Sequence, residues 1–135
     1  MNMDQLITKE TARLARKVHF DYPGDRFVDG DDTLHMVDIH HDITNSELPR
    51  TSAVIFSQAT MHKGLRDVYG VYVHVDCNAG GWMWELERVD GTFAGRHFEY
   101  TGPNGCGEWE EYEDALEDGL RAACEWVMEQ RWFKK

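Results

Sequence analysis

The stretch WEEYEDALEDGLRAACEWVMEQRWFKK, Trp109 to Lys135, decides the fold. Tyr112, Leu116, Leu120, Ala123 and Val127 recur at steps of four, four, three and four, the repeat of one α-helical face. Cys124 and Met128 widen this apolar stripe. Acids crowd the start (Glu108, Glu110, Glu111, Glu113, Asp114, Glu117, Asp118) and bases the end (Arg131, Lys134, Lys135), the order that complements a helix dipole. A helix this one-sided needs an apolar surface to cover, and the residues upstream supply one.

Val71, Val73, Val75 and Cys77 alternate with Tyr72, His74 and Asp76, which reads as a strand. Asn78-Ala79-Gly80-Gly81 is turn material, a four-residue connection to a second, antiparallel strand over Trp82 to Val89. Trp82, Trp84 and Leu86 share one face of it, and Met83, Glu85 and Glu87 the other. Asp90-Gly91 makes a further turn, and a third strand falls within Phe93 to Tyr100 before a glycine-rich loop. The final helix is expected over the apolar face of this meander, with Gly119 where helix and sheet approach closely.

The first half is read the same way. Thr8 to Val18 predicts a helix with Ile7, Leu14, Ala15 and Val18 on one face. Its bases, Lys9, Arg13, Arg16 and Lys17, are expected to be a solvated face rather than a nucleic-acid patch. His19 to Asp32 is loop, and Asp29-Gly30-Asp31-Asp32 lacks the ligand order of a calcium loop. Thr33 to Ile43 predicts a strand with Val37, Ile39, Ile43, His35 and His41 on one face, and Met36, Asp38, His40 and Asp42 on the other. Ser52 to Phe56 predicts a short strand, a helix being the alternative. Ser57 is a candidate cap for a helix through Tyr69 with Met61, Leu65 and Val68 apolar, Gly70 as its stop, and Gly64 where another backbone comes near. The whole, residues 1–135, reads as a single α+β domain: an antiparallel β-meander packed by a C-terminal amphipathic helix, with two further helices.

With 135 residues, 41% of them hydrophobic, the chain can bury a genuine core. Fourteen Lys plus Arg against 25 Asp plus Glu give a net charge of -11, which disfavours direct binding of nucleic acid or an anionic membrane. Three cysteines at wide spacing give neither a disulfide framework nor a CxxC zinc pattern. Cys77 and Cys124 read as packing residues, and Cys106 sits in a glycine loop without a histidine motif. Met1 to Lys17 has no apolar signal core and no run spans a membrane, so a cytoplasmic chain is expected.

From Ser57 onward, the run LRDVYGVYVHV, then WMWEL, a DG turn and YEDALEDGLRAACEWV resembles a group of small proteins from phages and mobile elements of gut bacteria. The opening ITKETARLARKVHFDY is also similar to their usual start. Leu65, Arg66, Asp67, Trp84, Tyr112, Ala115, Leu116 and Leu120 carry the likeness, which covers about half the chain. Gly64 departs from the group, where a large aromatic is usual, and residues 24 to 56 do not match. The resemblance implies origin and architecture, not chemistry.

Three functional readings follow. The first is a non-enzymatic acidic protein engaging a host protein through Trp109, Glu110, Glu113, Asp114, Glu117, Asp118, Trp126 and Trp132. Trp132 falls opposite the core stripe and is the aromatic expected in solvent. In a variant of this reading, the acids imitate nucleic acid and block a defence nuclease. The second is a small-ligand or nucleotide-sequestering protein with a pocket of Tyr72, His74, Trp82 and Trp84. The third is a metal-dependent hydrolase using Asp38, His40 and Asp42, which share a strand face and could converge on a divalent ion. Binding is preferred over catalysis. No cofactor is called for, the expected partner is a host protein rather than nucleic acid or membrane, and a homo-oligomer stays open.

Overall fold

The final stretch forms α3, Tyr112–Phe133. It lies on the hairpin of β4 (Val71–Asn78) and β5 (Gly81–Arg88), which β6 (Phe98–Thr101) extends in the order β4-β5-β6. The class is α+β, with the C-terminal helix on an antiparallel meander. The structure, a computed structural model, describes residues 5–37, 42–78, 80–88, 98–101 and 109–133, with the backbone alone at 78, 98–101 and 130–133.

Register explains which side of the hairpin faces the helix. Val73 pairs with Leu86, Val75 with Trp84 and Cys77 with Trp82. Cross-strand partners point to the same side, so the valines share a face with Trp84 and Leu86. Val71, Val73, Trp84 and Leu86 are buried there, against Leu116, Leu120, Ala123 and Val127 in one core. Burying each large apolar side chain stabilises the fold by about 1.5–3 kcal/mol. The ladder runs to Asn78↔Gly81, leaving a two-residue turn where the sequence promised a longer one. Gly80 takes φ 86°, which glycine adopts without a Cβ clash.

Two members of the apolar patterns depart from the core. Tyr112 heads the helical stripe but is 40% exposed, its ring edge-on to Trp82 with centroids 5.3 Å apart. The helix starts only at Tyr112, and Ala115 takes the first fully buried position. Trp109 precedes it as an extended residue exchanging backbone hydrogen bonds with Trp82 at 2.8 and 3.2 Å. Cys77, expected to pack, is exposed, because the valine face loses its cover toward the hairpin tip, where Val75 is already half-buried.

The first half wraps the same core. α1, Lys9–Lys17, is capped by the Thr8 hydroxyl, which accepts from Thr11 N, and buries Ala12, Ala15 and the following Val18. A small sheet follows in the order β2-β1-β3, from β1 (Arg26–Val28), β2 (Leu34–Met36) and β3 (Ala53–Val54). Among the described residues of the strand expected over Thr33 to Ile43, Leu34–Met36 form β2 and Ile43 bridges to Gly24, while residues 38–41 lie outside the described residues. Of the strand expected over Ser52 to Phe56 only Ala53–Val54 pair as β3, and the whole stretch is buried. Of the bases of α1, Lys9 and Lys17 are exposed as expected, but Arg13 and Arg16 are half-buried. Arg13 donates to the carbonyls of Thr51 and Asp29 at 2.8 Å each, and Arg16 to those of Ser52 and Leu48 at 3.1 Å. Lys9 reaches Asp32 O at 2.8 Å. Forked guanidinium donors thereby bridge loop carbonyls from two segments, Asp29 O also accepting from Asp32 N.

α2, Gln58–Gly64, is capped by Ser57 and passes into a π-wound turn, Leu65–Tyr69, before Gly70 stops it at φ 68°. The wider winding breaks the phase that put Val68 with Met61 and Leu65, and Val68 is exposed. Gly64 admits the Phe20 ring, an aromatic neighbour rather than the backbone expected. A methyl group at Gly64 would run into that ring. Gly64→Ala should therefore destabilise the protein by about 1–3 kcal/mol in urea unfolding, against the helical preference of alanine.

Candidate functional site

The acids at the start of α3 divide into two sets by the phase of the helix. Glu117 and Asp118 turn toward the protein. Glu117 Oε2 accepts from Thr8 N at 2.9 Å and Thr8 Oγ1 at 3.1 Å, while Oε1 accepts from Gln58 Nε2 at 3.0 Å. One carboxylate thereby ties α3 to α2 and to the positive end of α1. Asp118 Oδ2 accepts from the buried indole of Trp84 at 2.8 Å and Oδ1 pairs with Arg121. A buried indole N–H needs such an acceptor. Among the candidate contacts, these two carboxylates are thus internal ties.

Glu110, Glu111, Glu113 and Asp114 stay on the outside, around the exposed part of Tyr112. Among the described residues their carboxylates have no ion-pair partner. Beside them runs a cleft of about 370 Å³ between α2 and α3, lined by Gln58, His62, Tyr112, Glu113 and Leu116. Gln58 holds its two walls together, donating also to Glu113 O at 3.0 Å. The sequence marks Gln58 only as a polar residue one turn before Met61, on the buried side of α2. His62 sits on the edge of the meander, its Nε2 2.8 Å from Val73 O. Burial lowers its pKa, so the ring is neutral and Nε2–H donates to that carbonyl. The open edge of β4 is closed there.

The ligand-pocket residues do not converge. Tyr72 and His74 lie on the outer face of the hairpin with ring centroids 4.4 Å apart, and His74 pairs with Glu87. Trp82 and Trp84 belong to the opposite face, with the sheet between the two pairs. The register, which the sequence left open, decides this. Trp126 is half-buried with Arg88 6.0 Å from its ring centroid, and Trp109 is half-buried beside Trp82. Trp132 falls near the end of α3, where only the backbone is described.

Of the metal candidates, Asp38 and His40 lie outside the described residues and Asp42 is exposed. Among the described residues no group of three His, Cys, Asp or Glu is placed to hold a metal. The Asp29-Gly30-Asp31-Asp32 run is a turn. Hydrogen bonds from His35 first, then from the Thr33 and Asp31 amides, hold the Asp29 carboxyl down to about 2. Its folded pKa is depressed, so its contribution to stability is present above about 3.9 and is lost as the pH falls through the folded value. Cys106 lies outside the described residues. No helix among the described residues is long and apolar enough to cross a membrane.

Comparison with models of protein families, with curated proteins and with solved structures gives no match to this chain.

Two measurements separate internal from surface groups. Glu117→Ala should cost about 1–3 kcal/mol in urea unfolding, since Thr8 N loses its acceptor and Gln58 one of two, while Glu113→Ala should stay within about 0.5 kcal/mol. Burial pushes the Cys124 thiol up to about 12. Site-resolved mass spectrometry after alkylation at neutral pH should therefore find exposed Cys77 modified in the native protein, and Cys124 only after unfolding.

Proposed function

We propose that this chain is a non-enzymatic acidic binding protein, of phage or mobile-element origin, that engages a basic surface on a host protein. The observation that carries this reading is the set of four acids, Glu110, Glu111, Glu113 and Asp114, held outside around exposed Tyr112 with no ion-pair partner among the described residues. The net charge of -11 adds a long-range field of the same sign. Such a field speeds encounter with a basic partner and repels a nucleic-acid backbone. An aromatic ring among charges can anchor the contact once formed.

A pull-down from host lysate tests the proposal. The partner should be retained at low salt, released at high salt, and lost when Glu110, Glu111, Glu113 and Asp114 are all replaced by their amides. Retention that neither salt nor the fourfold variant alters would overturn it.

A further inference from the structure

We infer that β2 is a docking edge for an extended basic segment of a partner protein, which adds to the small sheet as a fourth strand. This surface is separate from the acids of α3, and the inference goes beyond the function proposed above.

β2 is the outer strand of the order β2-β1-β3. Its pairing with β1 matches Arg26 with Met36, Phe27 with His35 and Val28 with Leu34. On either side of that register, Asp29 N donates to Thr33 O at 3.0 Å and Val37 N to Asp25 O at 2.9 Å. Hydrogen-bonded and non-bonded pairs alternate along an antiparallel ladder. Phe27 and His35 are therefore the bonded pair, and the N–H and C=O of Leu34 and Met36 point away from β1, along the open edge.

The side chains of the same two residues are the second element. Leu34 is 48% and Met36 61% exposed. Leu34 lies directly across from Val28, which is fully buried. The apolar face of the sheet thus continues outward past the edge of the protein's own core. Outward backbone groups beside exposed apolar side chains are what a partner strand needs for main-chain bonds and for packing at alternate positions. The edge of β4 differs, being covered at Val73 by His62, and β3 is fully buried.

Charge selects the occupant. Exposed Asp31 and Asp32 precede β2, and exposed Asp25 stands beside its far end. Asp25 and Asp32 are partly offset by Arg26 and Arg13, and the chain as a whole carries -11. A second copy would bring these acids against their own kind. A strand with apolar residues at alternate positions and lysine or arginine between and beyond them fits both features.

The test is an NMR titration of the whole protein with a seven-residue peptide alternating lysine and valine. Saturable shifts and slowed exchange at the amides of Leu34 and Met36 are expected. Two changes should each weaken binding at least tenfold. One is N-methylation of alternate peptide amides. The other is Met36→Pro, which removes an outward N–H and no ladder bond. The fourfold amide variant of α3 should bind this peptide within about twofold of the parent, so failure here is distinct from failure of the proposed function. Absence of binding, binding indifferent to both changes, or loss of binding in the α3 variant would each overturn the inference. So would self-association through Leu34 and Met36 without peptide.

Discussion

The separation between α3 and the β4–β5 hairpin governs the rest of the structure, and Gly119 sets it. A Cβ at this position would come within 2.7 Å of Val73 Cγ1 and 3.1 Å of Trp84 Cγ. Because none is present, the helix backbone lies directly on the two side chains that fill the middle of the sheet. That proximity brings Asp118 to the Trp84 indole, and on the other flank of the helix Glu117 reaches Thr8 and Gln58. Apolar burial supplies the driving force, and the two carboxylates fix how the helix is turned.

This arrangement gives the acidic stretch two different roles. Seven acids within eleven residues look uniform as a sequence, from Glu108 to Asp118. Folded, Glu117 and Asp118 satisfy N–H groups of α1, α2 and β5, while Glu110 to Asp114 face water. What this stretch exposes is therefore the first turn of α3 and residues 109–111, with Tyr112 and the α2–α3 cleft alongside. The small sheet adds a second surface of a different kind, where backbone groups and apolar side chains are both presented.

Much of the fold was legible because two strong periodicities agree. The four-four-three-four spacing of α3 and the alternation of Val71 to Cys77 each name an element and its buried face, and the glycines at 70, 80 and 119 stand where backbone freedom or close approach requires them. Legibility ended where contacts come from distant parts of the chain. Arg13 and Arg16 of α1 look like part of a solvent face until the carbonyls of Leu48, Thr51 and Ser52 lie over them. Tyr72, His74, Trp82 and Trp84 look like one aromatic group until the cross-strand register separates them onto two faces. Among the described residues of Thr33 to Ile43, Leu34–Met36 form a strand and Ile43 bridges separately to Gly24, because alternation reports a preference for extended backbone and not the reach of a partner strand. For the candidate site, the acids were readable by residue type, while Tyr112, which the spacing places in the buried stripe, is 40% exposed. The inward turn of Glu117 and Asp118 depends on where α1 and Trp84 pack.

The most direct test is hydrogen exchange at the Trp84 indole, followed by NMR. Trp84 is 2% exposed and its Nε1–H donates to Asp118. If α3 is seated on the hairpin as described, this proton exchanges only through an opening that lifts the helix, and its protection matches that of the amides in the middle of β4 and β5. An indole proton exchanging as fast as in the urea-unfolded chain, while the β4 and β5 amides stay protected, would contradict the account.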